Sequence, residues 1–185
     1  MKYAASLLAA AALVSTAALA QQSAKNDQWG FEVTLPAGWT DTGTSDGEVR
    51  AAYNGPQIEG TNTNCNVTAN DSLETTAMTQ FQINAEVNGG AVSDQSVAEA
   101  KSLDPNAQVL SQDVVDMNGI AVQRADFVMN FPGQGGAAPI PVHARKLIVV
   151  TPGRFYNVNC MAVQSGYEQV KADFDSILGS FKVTK

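Results

Sequence analysis

The order of apolar patterns along the chain predicts an α+β domain, with a largely antiparallel sheet and helices packed on its faces. Three alternating segments come first, two helical segments follow, and two pairs of long alternating segments come next. A final segment carries apolar residues at three- and four-residue steps, which is typical of a helix that packs one side on a sheet. We find no internal repeat, and no linker long enough to divide the chain into two domains.

The first third of the domain is predicted to form strands. Residues 21–28 are polar and suggest a flexible leader, after which residues 29–35 alternate between apolar and polar side chains. Two further strands are predicted over residues 49–53 and 64–69. Residues 40–48, rich in Thr, Gly and Asp, are expected to form a loop between the first and second strands.

Two short helices are predicted in the middle of the chain. Residues 72–88 place Met78, Phe81 and Ala85 at helical spacing, with Gly89-Gly90 as the stop. The second helix is expected to begin at the capping box Ser96-Val97-Ala98-Glu99 and to end near Leu103, before Asp104-Pro105.

The second half of the chain predicts two hairpins and a last helix. Asn118-Gly119 lies between two apolar-rich runs, and both residues suit the positive φ angles of a two-residue hairpin turn. Pro152-Gly153 suits a type II turn in the next hairpin. The last helix is expected to start at the capping box Ser165-Gly166-Tyr167-Glu168. Its apolar stripe consists of Tyr167, Val170, Phe174, Ile177, Leu178 and Phe181.

The first twenty residues have the layout of a secretory signal peptide. A short cationic start is followed by the apolar, alanine-rich run of residues 4–19, and Ala18-Leu19-Ala20 resembles a peptidase site. A membrane anchor is the alternative, but the run is short for a spanning helix. We therefore expect residues 1–20 to be removed, residues 21–28 to remain as the leader, and residues 29–185 to form one domain. The mature protein is expected to be periplasmic or secreted, with no integral membrane segment.

Export changes the interpretation of the two cysteines. In an oxidising compartment, Cys65 and Cys160 can form only one disulfide. Each shares a strand face with apolar neighbours, Val67 for Cys65 and Val158 for Cys160, so both are expected to point into the core. Two buried free thiols are the alternative.

Composition and motifs exclude several classes of function. The net charge of −7 and the pI of about 4.5 provide no cationic surface for nucleic acid or an anionic membrane. There is no nucleophile elbow and no phosphate-binding glycine loop before a helix. We accordingly predict no catalytic residue, no cofactor-binding residue and no metal ligand.

A few residues still have both a functional and a structural interpretation. His143, the single histidine, could serve a hydrolase if a distant carboxylate approached it, but a structural role is favoured. The glycine-rich residues 133–136 suggest a mobile connector, with a partner-binding loop as the alternative. The acidic residues Asp41, Asp46 and Glu48 could hold a hard cation weakly, although solvated loop charges are favoured.

Three stretches resemble the PsbP-like family, which shares its fold with the Mog-type Ran-binding proteins. They are Phe31-Glu32-Val33-Thr34-Leu35-Pro36-Ala37-Gly38-Trp39, Phe155-Tyr156-Asn157-Val158-Asn159-Cys160 and Phe174-Asp175-Ser176-Ile177-Leu178-Gly179-Ser180-Phe181. The resemblance implies an α/β/α sandwich and a non-catalytic accessory or binding role. It assigns a role to no individual residue.

Together these observations predict an exported accessory or binding protein that acts through contacts with an unknown protein partner. A small exported hydrolase built around His143 and a carrier of a small ligand are the alternatives. A fold alone does not choose among them.

Overall fold

The computed structural model describes residues 21–44, 47–132 and 138–184. The predicted signal peptide at residues 1–20 and the glycine-rich segment 133–136 lie outside the described residues, as does Asp46. Within the described residues, no helix is long and apolar enough to cross a membrane.

Ten strands form two sheets among the described residues. The strands are β1 (Gln22–Asn26), β2 (Phe31–Leu35), β3 (Thr40–Gly43), β4 (Val49–Ile58), β5 (Thr61–Asp71), β6 (Gln108–Met117), β7 (Ile120–Phe131), β8 (Ile140–Thr151), β9 (Arg154–Val163) and β10 (Lys182–Val183). A small sheet has the order β1-β2-β10, and a large sheet has the order β3-β4-β5-β9-β8-β7-β6. Every pairing is antiparallel.

Three helices cover the large sheet unequally. Helices α1 (Gln80–Asn88) and α2 (Ala91–Leu103) contact β7, whereas α3 (Tyr167–Ser180) contacts β2, β8 and β9. Residues of β2 and α3 share one apolar core with the inward side chains of the large sheet. We call that side of the large sheet the α3 face. The α+β prediction is therefore confirmed, with α1 and α2 on the opposite face.

Both predicted hairpins form, because their turn residues adopt the backbone that each turn needs. Asn118 and Gly119 have φ angles of 58° and 85°, and Met117 pairs with Ile120 across the turn. Gly153 has a φ of 76°, and Thr151 pairs with Arg154.

The last helix forms where its apolar stripe predicts, but its N-terminus differs from the prediction. The six predicted stripe residues are all buried. Gly166 is the N-cap and makes no side-chain cap, while the Ser165 hydroxyl donates to Glu59 Oε2 at 2.9 Å. The predicted capping box at residues 165–168 is wrong, because Ser165 belongs to a 3₁₀ turn (Gln164–Gly166) that precedes the helix.

The two middle helices also begin at different places. The capping box of α1 is formed by Thr79 and Gln82, and Phe81, assigned to the apolar stripe, is 83% exposed. Helix α2 begins at Ala91, so Ser96 lies inside it, fully buried, and donates to the Val92 carbonyl. The sequence Ser-x-x-Glu marks a helix start only when the preceding residues are not helical.

Backbone pairing also extends the sheets beyond the predicted strands. Residues 22–26, expected to be a flexible leader, form β1 against β2 and bury Ala24. Residues 40–43, expected to lie in a loop, form the edge strand β3. Strand β4 continues past Asn54-Gly55-Pro56 through an irregularity in its pairing with β5. Main-chain hydrogen bonds do not depend on side-chain polarity, so a polar edge strand is hard to detect from sequence.

Candidate binding sites on the two faces of the large sheet

Cross-strand pairing brings charged residues from three strands together on the α3 face. Ser111 of β6 lies opposite Asp126 of β7, which lies opposite Arg145 of β8. One step along the strands, Asp113 lies opposite Arg124. Alternate residues of a strand share a face, so each of these side chains points to the α3 face.

These side chains line a cavity of about 460 Å³ between the strands and the C-terminal half of α3. We call it the charged pocket. Its charged lining includes Asp113, Arg124, Asp126, Arg145 and Asp175, and its apolar lining includes Val115, Met117, Leu147 and Leu178. Charged residues make up only 16% of this chain, so such a concentration at one cavity is distinctive.

Ion pairs fix both guanidinium groups of the charged pocket. Arg124 donates from Nε and Nη2 to the two carboxylate oxygens of Asp113. Arg145 donates from Nε to Asp126 Oδ1 at 2.7 Å and from Nη1 to Asp175 Oδ1. The Ser111 hydroxyl donates to the other oxygen of Asp126 at 2.9 Å. The arginines are therefore held in defined orientations.

The ionised state of these carboxylates is favoured. Burial by itself would raise the pKa of Asp126, but the charge of Arg145 and the hydrogen bonds from Ser111 and Arg145 hold it well below its usual range. The hydrogen bond from Arg124 lowers the pKa of Asp113. Asp113 and Asp126 therefore stay charged at neutral pH.

On β5 and β9, the side that faces away from α3 has a different set of side chains. Helix α1 contacts β7 and β8 and helix α2 contacts β7, and neither has more than minor contact with β5 or β9. A cavity of about 150 Å³ separates the end of α2 from these strands. Alternate residues there are mostly asparagines, and each is partly buried. We define the amide face as Asn64, Asn66, Asn70, Asn157 and Asn159, with Asn66 directly opposite Asn159 across the β5–β9 pairing.

The asparagine side chains of the amide face have no protein partners. Within the described parts of the chain, none of the five donates or accepts a side-chain hydrogen bond. The Asn157 oxygen is also shielded from solvent and has no partner. A buried amide oxygen without a hydrogen bond is costly to the folded state.

An apolar groove adjoins one end of the amide face. A cavity of about 430 Å³ is lined by Phe131, Ile140 and Met161 together with Asn64. Phe131 and Ile140 are each 38% exposed. This part of the sheet therefore combines unpaired amides with accessible apolar surface.

Comparison with known proteins places this architecture in a family. The family model for PsbP matches residues 20–183. The chain belongs to the PsbP family. A comparison with curated proteins finds no match.

Solved structures share the fold of this PsbP-family chain at low sequence identity. Cyanobacterial PsbP (CyanoP) from Synechocystis sp. PCC 6803 has a TM-score of 0.55 and 16% identity, covering 91% of this chain and 95% of its own. LpqN from Mycobacterium tuberculosis, described as involved in cell envelope biogenesis, has a TM-score of 0.58 and 11% identity over 90% and 91%. The Saccharomyces cerevisiae Ran-binding protein Mog1p has a TM-score of 0.50 and 11% identity over 90% and 97%. The predicted family resemblance is confirmed, and these identities establish the fold alone.

The predicted disulfide of this PsbP-family chain is present. Cys65 and Cys160 lie directly opposite each other on β5 and β9, with an S–S distance of 2.00 Å, and both are fully buried. Cys160 also lies opposite Arg145 of β8, so the disulfide is next to the charged pocket in the same cross-strand row.

The single histidine lies beside the charged pocket without lining it. The His143 ring stacks on Tyr167 with 3.4 Å between ring centroids. Its Nε2 is 3.9 Å from Asp126 Oδ1, too far for a hydrogen bond, and has no other partner among the described residues. The described part of the chain does not form the arrangement that a His143-based hydrolase requires, a histidine hydrogen-bonded to a carboxylate in a pocket.

The other candidate residues lie apart from both sites. Asp41 and Glu48 are exposed, and within the described ranges no three His, Cys, Asp or Glu side chains come close enough to hold a metal ion. Trp39 is buried and donates from Nε1 to Asp173 at 2.9 Å. Trp29 is half-buried under the Arg50 guanidinium, 4.1 Å from its ring.

Sequence reasoning missed both sites, although each left a trace. The alternating asparagines of β5 are visible in the sequence Asn62-Thr63-Asn64-Cys65-Asn66. The charged pocket leaves only isolated alternating charges in three strands, and their convergence depends on register.

Proposed function

We propose that this PsbP-family protein is an exported, non-catalytic accessory protein that binds an extended segment of a partner protein on its amide face. The observation that carries this proposal is the row of partly buried asparagines whose side chains make no hydrogen bond to the described residues. Amide groups without protein hydrogen bonds contribute little to the stability of the fold. A partner that completes their hydrogen bonds would explain why asparagines occupy these positions.

The chemistry of the amide face suits a polypeptide backbone. An asparagine side chain carries a carbonyl acceptor and an NH₂ donor, as a peptide group carries an acceptor and a donor. Alternate residues of β5 repeat about every 7 Å, which is also the repeat of equivalent backbone groups in an extended chain. Asn64 and Asn66 are consecutive members of that row.

The apolar groove beside the amide face suits a side-chain anchor. Phe131, Ile140 and Met161 offer exposed apolar surface at the end of the asparagine row. A partner segment with one large apolar side chain could fill the groove while its backbone pairs with the amides. Buried apolar anchors surrounded by polar contacts are characteristic of protein interfaces.

Export is supported by two features of the chain. Residues 1–20 have the signal-peptide layout, and the buried Cys65–Cys160 disulfide suits an oxidising compartment. N-terminal determination of the protein recovered from the extracytoplasmic fraction tests the proposal. We expect the mature chain to begin at Gln21, and an uncleaved chain in the cytosol would contradict export.

Docking is tested with an isosteric change and a matched control. Asn66→Asp removes two donors from the amide face and adds a charge, whereas Asn118→Asp makes the same change in a hairpin turn that tolerates aspartate. The immobilised mature protein is used to capture partners from the extracytoplasmic fraction. We expect a specific partner to be retained by wild type and Asn118→Asp, and to be lost with Asn66→Asp.

The contact itself is located by NMR. The side-chain NH₂ signals of Asn64, Asn66 and Asn159 should shift when the captured partner is added to ¹⁵N-labelled protein. Shifts confined to other surfaces would contradict docking on the amide face. Turnover on a panel of hydrolase substrates that is lost with His143→Ala would contradict the non-catalytic role.

A further inference from the structure

We propose that the charged pocket binds a small zwitterion of the class of free α-amino acids with an apolar side chain. The charged pocket lies on the face of the sheet opposite the amide face. The inference therefore stands independently of the docking proposed above, and either can fail without the other.

The charged pocket holds unused hydrogen-bonding groups in fixed positions. Arg145 donates through Nε and Nη1, and its Nη2 makes no hydrogen bond to the described residues. Arg124 likewise uses Nε and Nη2 on Asp113, which leaves Nη1 free. Asp175 accepts through Oδ1 alone, so its Oδ2 is free. Because the ion pairs hold these groups in place, a ligand need not order them on binding.

The balance of charge favours a ligand that carries both signs. Two arginines and three aspartates line the charged pocket, and Lys146, which also borders it, directs its ammonium away to Glu99 of α2. A simple anion would meet an excess of carboxylates, and a simple cation would meet two guanidinium groups. A zwitterion can place its carboxylate on the free guanidinium nitrogens and its ammonium on the free carboxylate oxygen.

One ion pair within the charged pocket offers both a donor and an acceptor to a ligand. Arg145 and Asp175 are bonded to each other, so the free Nη2 and the free Oδ2 belong to adjoining groups. In a free amino acid, the ammonium and the carboxylate are attached to the same carbon. The pair and the ligand thus present reciprocal charges on neighbouring groups.

The size and the apolar lining of the charged pocket indicate what kind of side chain the ligand carries. A cavity of about 460 Å³ is within the range of small-molecule sites. Its apolar residues Val115, Met117 and Leu178 are accessible from the cavity. An aliphatic side chain would remove this apolar surface from water.

The ligand class is tested with three related probes. L-Leucine carries both charges, N-acetyl-L-leucine lacks the ammonium, and L-leucine methyl ester lacks the carboxylate. Calorimetric titration of the mature protein with each probe measures affinity. We expect L-leucine to bind, and each derivative to bind at least tenfold more weakly, about 1.4 kcal/mol. Equal binding of N-acetyl-L-leucine would indicate a carboxylate site, and equal binding of the ester an ammonium site; either would overturn the proposal.

Three variants locate the binding. Asp175→Asn, on the partly exposed helix α3, removes the ammonium acceptor and should weaken L-leucine at least tenfold. Gly179→Leu adds a side chain at a helical position where an added Cβ meets no atom within 4 Å and which lines the cavity, so it should fold and abolish binding. Glu168→Gln changes an exposed carboxylate of α3 away from the cavity and should bind as wild type does.

Several outcomes would overturn this inference. Absence of L-leucine binding by the folded wild-type protein at millimolar concentration is one. Unchanged binding by folded Gly179→Leu is another, because it would place the ligand elsewhere. Equal losses in Asp175→Asn and Glu168→Gln would indicate a general charge effect instead of a specific contact.

Discussion

Gly166 is the residue at which a single methyl group should have the largest calculable effect on stability. A Cβ at this position would lie 2.1 Å from Ile58 Cγ2 and 3.2 Å from Ile58 Cβ. The backbone of Gly166, with φ −109° and ψ 3°, is accessible to alanine, so the cost of Gly166→Ala is steric. Ile58 is buried and cannot move into solvent. Overpacking of this kind costs about 2 kcal/mol, and we expect that loss in the free energy of unfolding.

Urea unfolding at 25 °C measures this loss, and Gly179→Ala provides the matched control. Gly179 lies in α3, the helix that Gly166 caps, and its added Cβ would meet no atom within 4 Å. Alanine there should be neutral or stabilise the protein by about 0.5 kcal/mol, because it restricts the unfolded chain. The slope of the unfolding free energy with urea should be unchanged in both variants.

A double substitution tests the assigned contact directly. Ile58→Ala removes the clashing Cγ2 and by itself should cost about 3 kcal/mol, as truncation of a buried isoleucine does. Combined with Gly166→Ala, the total loss should be at least ~1 kcal/mol smaller than the sum of the two single losses. Additive losses, or wild-type stability of Gly166→Ala, would refute the close packing of Ile58 on Gly166.

Three further changes have defined outcomes. The Cys65→Ala/Cys160→Ala variant should lose up to about 4–5 kcal/mol of unfolding free energy, because the disulfide closes a loop across a sequence separation of 95; reduction of the wild type should lower its urea midpoint similarly. The pKa of Asp126 is lower in the folded state than in the unfolded state, so ionised Asp126 stabilises the fold above about pH 4. This stabilisation is lost as the pH falls toward 2. Wild type should thus lose about 2 kcal/mol more than Asp126→Asn between pH 5 and pH 2, and parallel profiles would contradict this. Asp104→Ala should speed hydrogen exchange at the Asn130 amide, which donates to the Asp104 carboxylate at 2.7 Å, and an unchanged rate would show that this bond does not protect it.

Features that depend on near neighbours were predictable from the sequence. The Asn118-Gly119 and Pro152-Gly153 turns need particular φ angles that few residues tolerate, so their residue types disclose them. The apolar stripe of α3 is visible because one helix face repeats every three or four residues. The exact beginnings of α2 and α3 were missed, because the Ser-x-x-Glu pattern also occurs inside a helix or just before one.

The two sites depend on strand register and on helix placement, which a single sequence does not show. Asp126 meets Arg145 because β7 and β8 pair in one register, and it meets Ser111 because β6 and β7 pair in another. A shift of one residue in either pairing would send a whole strand's side chains to the other face. The amide face is open only because α1 and α2 lie over β7 and β8, which no local pattern specifies.

The sequence by itself determined the α+β class, both hairpins and the pairing of the two cysteines, since each follows from periodicity, from turn residues or from having a single solution. Only the tertiary structure decided that His143 lies stacked on Tyr167 beside the charged pocket, and that three aspartates and two arginines converge there. The physical reason is the distance along the chain over which each kind of interaction acts. Turn and helix preferences act over a few neighbouring residues, whereas a pocket is formed by strands and helices that are distant along the chain and meet only when the sheet assembles.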